Sequence, residues 1–432
     1  MKIFVENSQL RTELYDYIQA QIDLSKQQGR EISLVVIKIQ DLKYLEVNLG
    51  FPTLELISKC ILARMLANTK NHQLVIQRSL DELLVIIPKT LNKGHLKIVS
   101  EKLSREIQLA VEVGQENIEL VHSIGVAAAE DSHHDGATLY KNALIALERG
   151  KSQNIHQMVY QPKFSVEIKK IWDLKKNIEV AIYDNQFELY FQPKIGTEKM
   201  TVCGAEALIR WQHPQQGLVS PMDFIPVAEQ SGQIHAITEW VVKSAIQQLS
   251  TILKIYPDFF LSINISANNL DSTDLMLLLE DTLSIWDVPA KNLIIEVTET
   301  TIMGDAQSSL NQLEKIRQIG VGISIDDFGT GYSSLAYFKK IPATELKIDK
   351  SFIDNLLSSV EDRHIVSLVI SLAKRFNLQI VAEGVETKET LDEVCDLKCD
   401  YIQGYYFSKP LPYSEFMEWV AHFDKKDDAS LS

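Results

Sequence analysis

Apolar residues recur at two spacings along this chain, and the change from one to the other marks out its elements. Over residues 6–30, Leu10, Leu14, Ile18 and Ile22 recur every four residues, which predicts a polar amphipathic helix. SLVVIKI (33–39) is a continuous apolar run of strand length, and residues 52–69 return to helical spacing through Leu54, Ile57, Ile61 and Leu66. LVIQRS (74–79) and ELLVIIP (82–88) are two such runs joined by a turn around Leu80 and Asp81, the pattern of a hairpin. Residues 94–112 read as helix, 118–127 (IELVHSIGVA) as strand and 136–150 as helix. This order predicts a small α+β domain with a mainly antiparallel sheet.

After a short junction at 160–163 and a charged helix (165–184), the rhythm changes. Strand segments follow at 187–193, 202–210, 260–266, 292–298, 321–326, 344–348, 379–383 and 400–403. Helical spacing fills most gaps, at 235–255, 272–286, 305–319, 361–376 and 387–397. Eight strands alternating with helices over about 260 residues predict a TIM-like (β/α)8 barrel. Only a short loop around 197–201 separates the first two strands. A parallel crossover needs about a dozen residues or more, so the first strand is expected to run antiparallel to the second. The fold class is α/β: a small α+β domain over 1–162, a barrel with an antiparallel first strand over 163–425, and a charged tail, 426–432, expected to be disordered.

Composition narrows the function classes. Hydrophobic residues at 45% and charged residues at 23% are ordinary for a globular protein and exclude disordered and fibrous classes. Asp and Glu number 58 against 43 Lys and Arg, a net charge of −15, which argues against binding a DNA or RNA polymer by its backbone. An anionic substrate stays admissible, because bound divalent cations reverse the sign locally. No apolar run approaches the length of a membrane span, and the opening MKIFVENSQLRTELYDY lacks a signal-peptide core. Four cysteines give no disulfide framework, so a cytoplasmic, reducing location is expected. Cys395 and Cys399 stand one helical turn apart with no second pair nearby, and are expected as neutral thiols rather than metal ligands.

The chemistry lies in where the barrel strands carry polar residues. Glu206 comes late in strand two, Asn264 late in strand three and Glu296 in strand four. Asp326 and Asp327 end strand five, Lys347 is in strand six, Glu383 ends strand seven and Gln403 ends strand eight. Any one of these could be a satisfied structural group, but seven strands in succession are not expected to bury polar or charged groups by accident. The C-terminal strand ends of a barrel converge on one mouth, so an oxygen-rich cage for hard divalent cations is predicted there. Adjacent Asp326 and Asp327 can both reach it only where the strand turns into its loop, and Gly329 and Gly331 supply that turn. Such a cage suits phosphodiester hydrolysis, with Lys347 on the attacking water or the developing charge. GTGYSS is one residue short of a dinucleotide fingerprint, His213 and His235 lack metal-ligand spacing, and no Ser-His-Asp set stands out.

Two family resemblances follow from particular motifs. SLDEL (79–83), HSIGVA (122–127) and the helix ending ALERGKSQN resemble the GGDEF domain of diguanylate cyclases, over about residues 30–160. Where that family has two glycines this chain has Ser79 and Leu80, and its metal-binding carboxylate positions read Lys38 and Gln40. The guanine-contacting position reads Glu46, and the inhibitory Arg and Asp positions read Lys70 and Gln73. Asp81 and Glu82 remain, but an acidic pair is also ordinary turn chemistry. The resemblance thus implies a degenerate domain without cyclase activity, acting as a scaffold or regulator whose input comes from a protein partner or from assembly.

EALIRW (206–211), FIPVAEQSG (224–232), SINIS (262–266), EVTE (296–299), DDFGTGYSSL (326–335), KIDKSFI (347–353), VAEGVET (381–387) and YIQGYYFSKPL (401–411) resemble the EAL-domain phosphodiesterases that linearise cyclic di-GMP, over about 165–425. The resemblance implies two magnesium or manganese ions per barrel. Glu206, Asn264, Glu296 and Asp326 would bind one, and Asp326 and Asp327, with Glu383 nearby, the other. Lys347 would contact the catalytic water, Glu383 would act as base or water-positioning group, and Asp327 would serve catalysis as well as metal. Gln192, Leu208, Arg210 and Gln403 match positions lining the dinucleotide pocket. Glu386, counted with them, supports the metals together with the loop DDFGTGYSS. A homodimer paired through the barrel is implied, with Leu335, Tyr337 and Phe338 as apolar contacts. The alternative is a cyclic di-GMP receptor without catalysis, which arises in the family by loss of these residues; none is lost here.

Overall fold

The computed structural model describes residues 8–40, 42–68, 74–113, 116–153, 155–270, 273–304, 306–329 and 338–430; Lys70, Gln73, Gly331, Leu335 and Tyr337 lie outside them. The chain divides into two compact units, Met1–Trp172 and Asp173–Ser432. The division falls within the helix Pro162–Tyr183, which occupies part of the expected junction.

In the first unit, five strands lie in the order Val75–Gln77, Glu82–Ile87, Ser33–Ile39, His122–Ala128 and Gln157–Val159. All neighbours are antiparallel except the last pair. The central strand Ser33–Ile39 shows why its sequence is apolar without alternation. Leu34 and Val36 pack with Leu14, Ile18 and Ile22 of the first helix on one face, while Val35, Ile37 and Ile39 pack with Ile57, Ile61 and Ile107 on the other. Both faces are covered, so period-two polarity is lost. Lys38 is the exposed exception in that strand. Three short elements escape the sequence pattern: the helix Leu42–Leu49, the strand Gln157–Val159, and a small hairpin, Val111–Val113 with Glu116–Ile118, where a helix to 112 is expected. Such short pieces carry too few residues to establish a period.

The second unit is a closed barrel of eight strands, Phe187–Gly196, Thr201–His213, Phe260–Asn264, Leu293–Thr298, Gly322–Phe328, Glu345–Ile348, Gln379–Ala382 and Tyr401–Ile402. The first strand runs antiparallel to both of its barrel neighbours, the second and the eighth, as the short connection requires. The other neighbouring pairs are parallel. Helices Ile234–Leu253, Thr273–Ile285, Ala306–Gln318, Val360–Arg375 and Lys388–Asp396 alternate with the strands, within two residues of the expected bounds. An additional helix, Pro221–Ser231, is capped by Ser220 and closed by Gly232 in a left-handed conformation. Pro226 inside it hides its periodicity from the sequence. Trp211 is fully buried against Phe187 and Phe224, and burying such a side chain is worth about 1.5–3 kcal/mol.

Two expectations change. Phe338 is buried and packs on Phe328 and Phe376, so it belongs to the barrel core instead of a contact surface. The last helix, Tyr413–Ser430, continues through residues read from composition as a disordered tail; its Trp419 and Phe423 rings stack one turn apart. No helix among the described residues is long and apolar enough to cross a membrane.

Candidate active site

Strand alternation and register bring the polar residues together. Glu206, Leu208 and Arg210 occupy every second position of strand two and so share a face, as do Tyr190, Gln192 and Lys194 on strand one. Gln192 lies opposite Glu206 and Tyr190 opposite Leu208. Farther around the barrel, Glu296 lies opposite Asn264, and Thr298 opposite Asp326. The C-terminal ends of strands two to five are thereby edged with acid and amide groups.

Asp326 and Asp327 both reach the mouth because strand five bulges. Ile325 pairs with Leu346 and Phe328 with Ile348, so the two aspartates stand opposite Lys347 alone. Asp327 takes a left-handed conformation, φ 54°, which a non-glycine residue adopts at a cost of about 1–3 kcal/mol and which concentrates at functional sites. Its N–H donates to Asp326 Oδ1 at 3.0 Å. Gly329 follows at φ 99°, and its N–H donates to the buried Glu299 at 3.2 Å. The loops after strands seven and eight also approach closely. A side chain at Gly404 would collide with the Val385 backbone, so glycine lets the two loops meet where the Val385 N–H donates to the Gln403 carbonyl at 3.2 Å.

Lys347 is the hub. Its buried Nζ lies 2.6 Å from Glu383, 2.7 Å from Glu296, 3.1 Å from Asp326 and 3.6 Å from Glu206. Glu206 accepts from Asn264 Nδ2 and from Gln403 Nε2, both at 2.7 Å. Burial pushes the Glu383 carboxyl up to about 8, against the pull of Lys347 and with the help of Asp326. Glu206 and Asp327 are also raised, by burial first and then by neighbouring carboxylates. Glu296 goes the other way: burial would raise it, but Lys194 and Lys347 hold it down at about 2. Lys347 itself is raised well above its ordinary value, the surrounding carboxylates overcoming its desolvation.

This donor set fits a hard divalent cation. Asp326, Asp327 and Glu383 can each offer an oxygen within 4.8 Å of the others, and all the candidate ligands are carboxylate or amide oxygens. Five carboxylates gather around Lys347, with Lys194 reaching only Glu296 among them, and Glu206, Asp327 and Glu383 are raised by burial first and by their carboxylate neighbours second. Divalent cations would neutralise these carboxylates.

Around the carboxylates stand the expected pocket residues. Gln403 also donates to Gln192 Oε1 at 3.0 Å, and the half-buried Arg210 guanidinium stacks over the Tyr190 ring at 5.6 Å. Glu386 stands apart from the hub: it is exposed and accepts from Lys350 at 2.5 Å. Buried Lys194 and Glu345 carry little sequence signal: a charge inside one apolar strand, in FQPKIG, and at the start of another, in ELKI. Cys399 is buried and its thiol is pushed up to about 12 by desolvation, as befits an inert side chain. His213 accepts from the N–H groups of Gln215 and Gln216 and so holds a turn. A cavity of about 640 Å³ lies at the opposite end of the barrel, beside Thr197, Cys203, Asp258 and Tyr401, and none of the carboxylates around Lys347 lines it.

The hairpin turn of the first unit has a different character. Lys38 lies 3.9 Å from Asp81, and Gln40 donates to Ser123 at 2.5 Å. Glu82 is buried, with both oxygens 2.8 Å from Arg78 Nη1 and one accepting from Tyr140 at 2.5 Å. Glu46 lies exposed on the helix Leu42–Leu49.

Residues 175–410 match the family model described as EAL domain, and residues 9–157 match that of the diguanylate cyclase GGDEF domain. The bifunctional diguanylate cyclase/cyclic di-GMP phosphodiesterase MucR of Pseudomonas aeruginosa is 32% identical over 410 residues, 94% of this chain and 60% of that protein. The cyclic di-GMP phosphodiesterase NbdA of the same organism is 30% identical over 415 residues, 95% of this chain and 53% of that protein. This chain thus spans little more than half the length of these curated relatives. Among solved structures, the MucR phosphodiesterase in complex with cyclic di-GMP superposes with a TM-score of 0.55 at 41% identity, covering 56% of this chain and 99% of that one.

Proposed function

Because this chain belongs to the EAL-domain family and carries a GGDEF domain ahead of its barrel, we propose that the barrel hydrolyses cyclic di-GMP to the linear dinucleotide pGpG. The observation that carries this reading is the convergence of Glu206, Asn264, Glu296, Asp326, Asp327 and Glu383 around Lys347 at one mouth of the barrel. Glu206, Asn264, Glu296 and Asp326 would hold one magnesium or manganese ion, and Asp326 and Asp327, with Glu383 beside them, a second. Such a pair supplies charge neutralisation of the phosphodiester and a bound water of lowered pKa.

The chain's own residues supply the rest. Gln192, Leu208, Arg210 and Gln403 form the wall on which the dinucleotide lies, and Arg210 can grip a phosphate by two parallel N–H donors. Lys347 keeps its proton throughout the neutral range. It therefore acts as a fixed positive charge, orienting the attacking water or meeting charge on the phosphoryl oxygens. Without a cation, burial pushes the Glu383 carboxyl up to about 8 and keeps it largely protonated at neutral pH; beside bound divalent cations it would be a carboxylate, able to accept a proton from the water and return it to the leaving 3′ oxygen. One P–O bond forms to the water oxygen, and one breaks to the ribose. Asp327 steadies this arrangement from the bulge, and Glu386, held by Lys350, supports the loop after strand seven.

The GGDEF domain is proposed to make no cyclic di-GMP. Lys38 stands where a metal-binding carboxylate is needed and faces Asp81, and Glu82 is engaged by Arg78 and Tyr140. It would serve as a regulator or scaffold for the barrel. Pairing of two barrels into a homodimer and a cytoplasmic, reducing location belong to the same reading; the four cysteines are unpaired. The test is incubation of purified protein with cyclic di-GMP and manganese, followed by chromatography. Appearance of pGpG supports hydrolysis, whereas tight binding without product would replace it with the receptor reading.

A further inference from the structure

Beneath the carboxylates the barrel interior is charged, where barrels of this type are ordinarily filled by apolar layers. Lys194, on the antiparallel first strand, is completely buried. Its Nζ lies 2.8 Å from Ser262 Oγ, 2.9 Å from Glu296 Oε1 and 2.9 Å from Glu345 Oε1. Three N–H donors thus meet three acceptors from strands three, four and six. The Phe260 ring lies 5.7 Å from the ammonium and packs edge-on against Tyr401. Glu345 is completely buried as well.

The two oxygens of Glu296 are held by different lysines. Oε2 contacts Lys347 at 2.7 Å, within the hub, and Oε1 contacts Lys194 at 2.9 Å, from the layer below. Oε2 faces the carboxylates that would hold a cation, whereas Oε1 is engaged from the layer below. We propose that Lys194 and Glu345 are positioning residues. Lys194 anchors one oxygen of Glu296 so that the other is presented to the cation, and Glu345 anchors Lys194. The inference rests on the hydrolytic reading given above, and it concerns residues that touch neither substrate nor cation. Groups that orient metal ligands from behind typically set affinity by about 10–100-fold, which is the scale expected here.

The experiment uses the full chain and the double variant Lys194→Met/Glu345→Met, which removes the buried pair at similar volume and leaves no lone charge in that layer. Manganese binding without substrate is followed by electron paramagnetic resonance, and kcat and KM for cyclic di-GMP are measured in parallel. The expected result is manganese affinity at the Glu296 site weakened at least about ten-fold and kcat lowered with it, while KM stays within about two-fold. A purely structural pair would lower the unfolding temperature without this split. A folded double variant with wild-type manganese affinity and kcat overturns the proposal alone. A wild-type protein that binds no manganese overturns the hydrolytic reading and this proposal together. Should the double variant fail to fold, Glu345→Gln, which keeps shape and an acceptor, is expected to bind manganese more weakly than wild type. Equal or tighter binding overturns the proposal.

Discussion

Replacing Lys347 by Met removes the single ammonium that four carboxylates share. At an effective dielectric of about 20, one unit pair at roughly 3 Å is worth about 5 kcal/mol before desolvation is counted. The four contacts, at 2.6 to 3.6 Å, do not add. Glu383, at about 8, already carries little negative charge at neutral pH and so loses little when the ammonium goes, and Lys347 itself no longer has to be desolvated. The measured scale for breaking a buried pair, about 3–5 kcal/mol, is therefore the better figure. For a domain of this size it corresponds to a fall of roughly 10 °C in unfolding temperature. Thermal unfolding in the presence of a chelator should show that fall in Lys347→Met, and added manganese should recover much of it by binding the freed carboxylates. Turnover of cyclic di-GMP should nevertheless drop at least about a hundred-fold, the scale of a lost transition-state charge contact. A variant that unfolds in chelator at the wild-type temperature would refute the role of Lys347 as the counter-charge of the cage.

Three further outcomes are expected. Glu206→Ala should lose at least about a hundred-fold in turnover, since it strips a ligand that also anchors Asn264 and Gln403; near wild-type turnover would remove Glu206 from the site. Glu383 binds its proton more tightly folded (about 8) than at its ordinary 4.5, so the metal-free barrel should lose stability from that group as pH rises from about 4.5 to about 8. Glu296, held at about 2, adds the opposite dependence below about 4.5, and manganese should flatten the upper limb; chelator melts across pH that show no decline between 5 and 8 would contradict this. The GGDEF domain, in the full chain with Glu206→Ala to prevent breakdown, should form no cyclic di-GMP from GTP and magnesium, and chromatographic detection of product would sink that part of the reading.

Much of this site is legible before any coordinates, because strand ends in a barrel converge by topology. A polar residue late in each of seven successive apolar strands is a local pattern, and Glu206, Asn264, Glu296, Asp326, Lys347, Glu383 and Gln403 all meet at the mouth. The antiparallel first strand follows from the length of one loop. The Asp326–Asp327 pair signals a turning strand, although the left-handed conformation of Asp327 and the two-against-one bulge need the register with strand six. The charged layer below is not legible. Lys194 and Glu345 lie 151 residues apart, and each reads singly as an odd charge in a strand. Their meaning exists only across the closed barrel. Glu386 illustrates the reverse case: the motif groups it with the site, while the fold gives it an exposed ion pair with Lys350.

On the proposed mechanism, water directed by the carboxylate-and-lysine cage opens one phosphodiester of cyclic di-GMP. The direct measurement is a single-turnover reaction of the full chain with cyclic di-GMP and manganese in ¹⁸O-enriched water, with the product analysed by mass spectrometry. The expected product is pGpG carrying one ¹⁸O in its terminal phosphate, with none formed by Glu206→Ala under the same conditions. Cyclic di-GMP recovered intact from wild-type protein that has bound both nucleotide and manganese would contradict this mechanism.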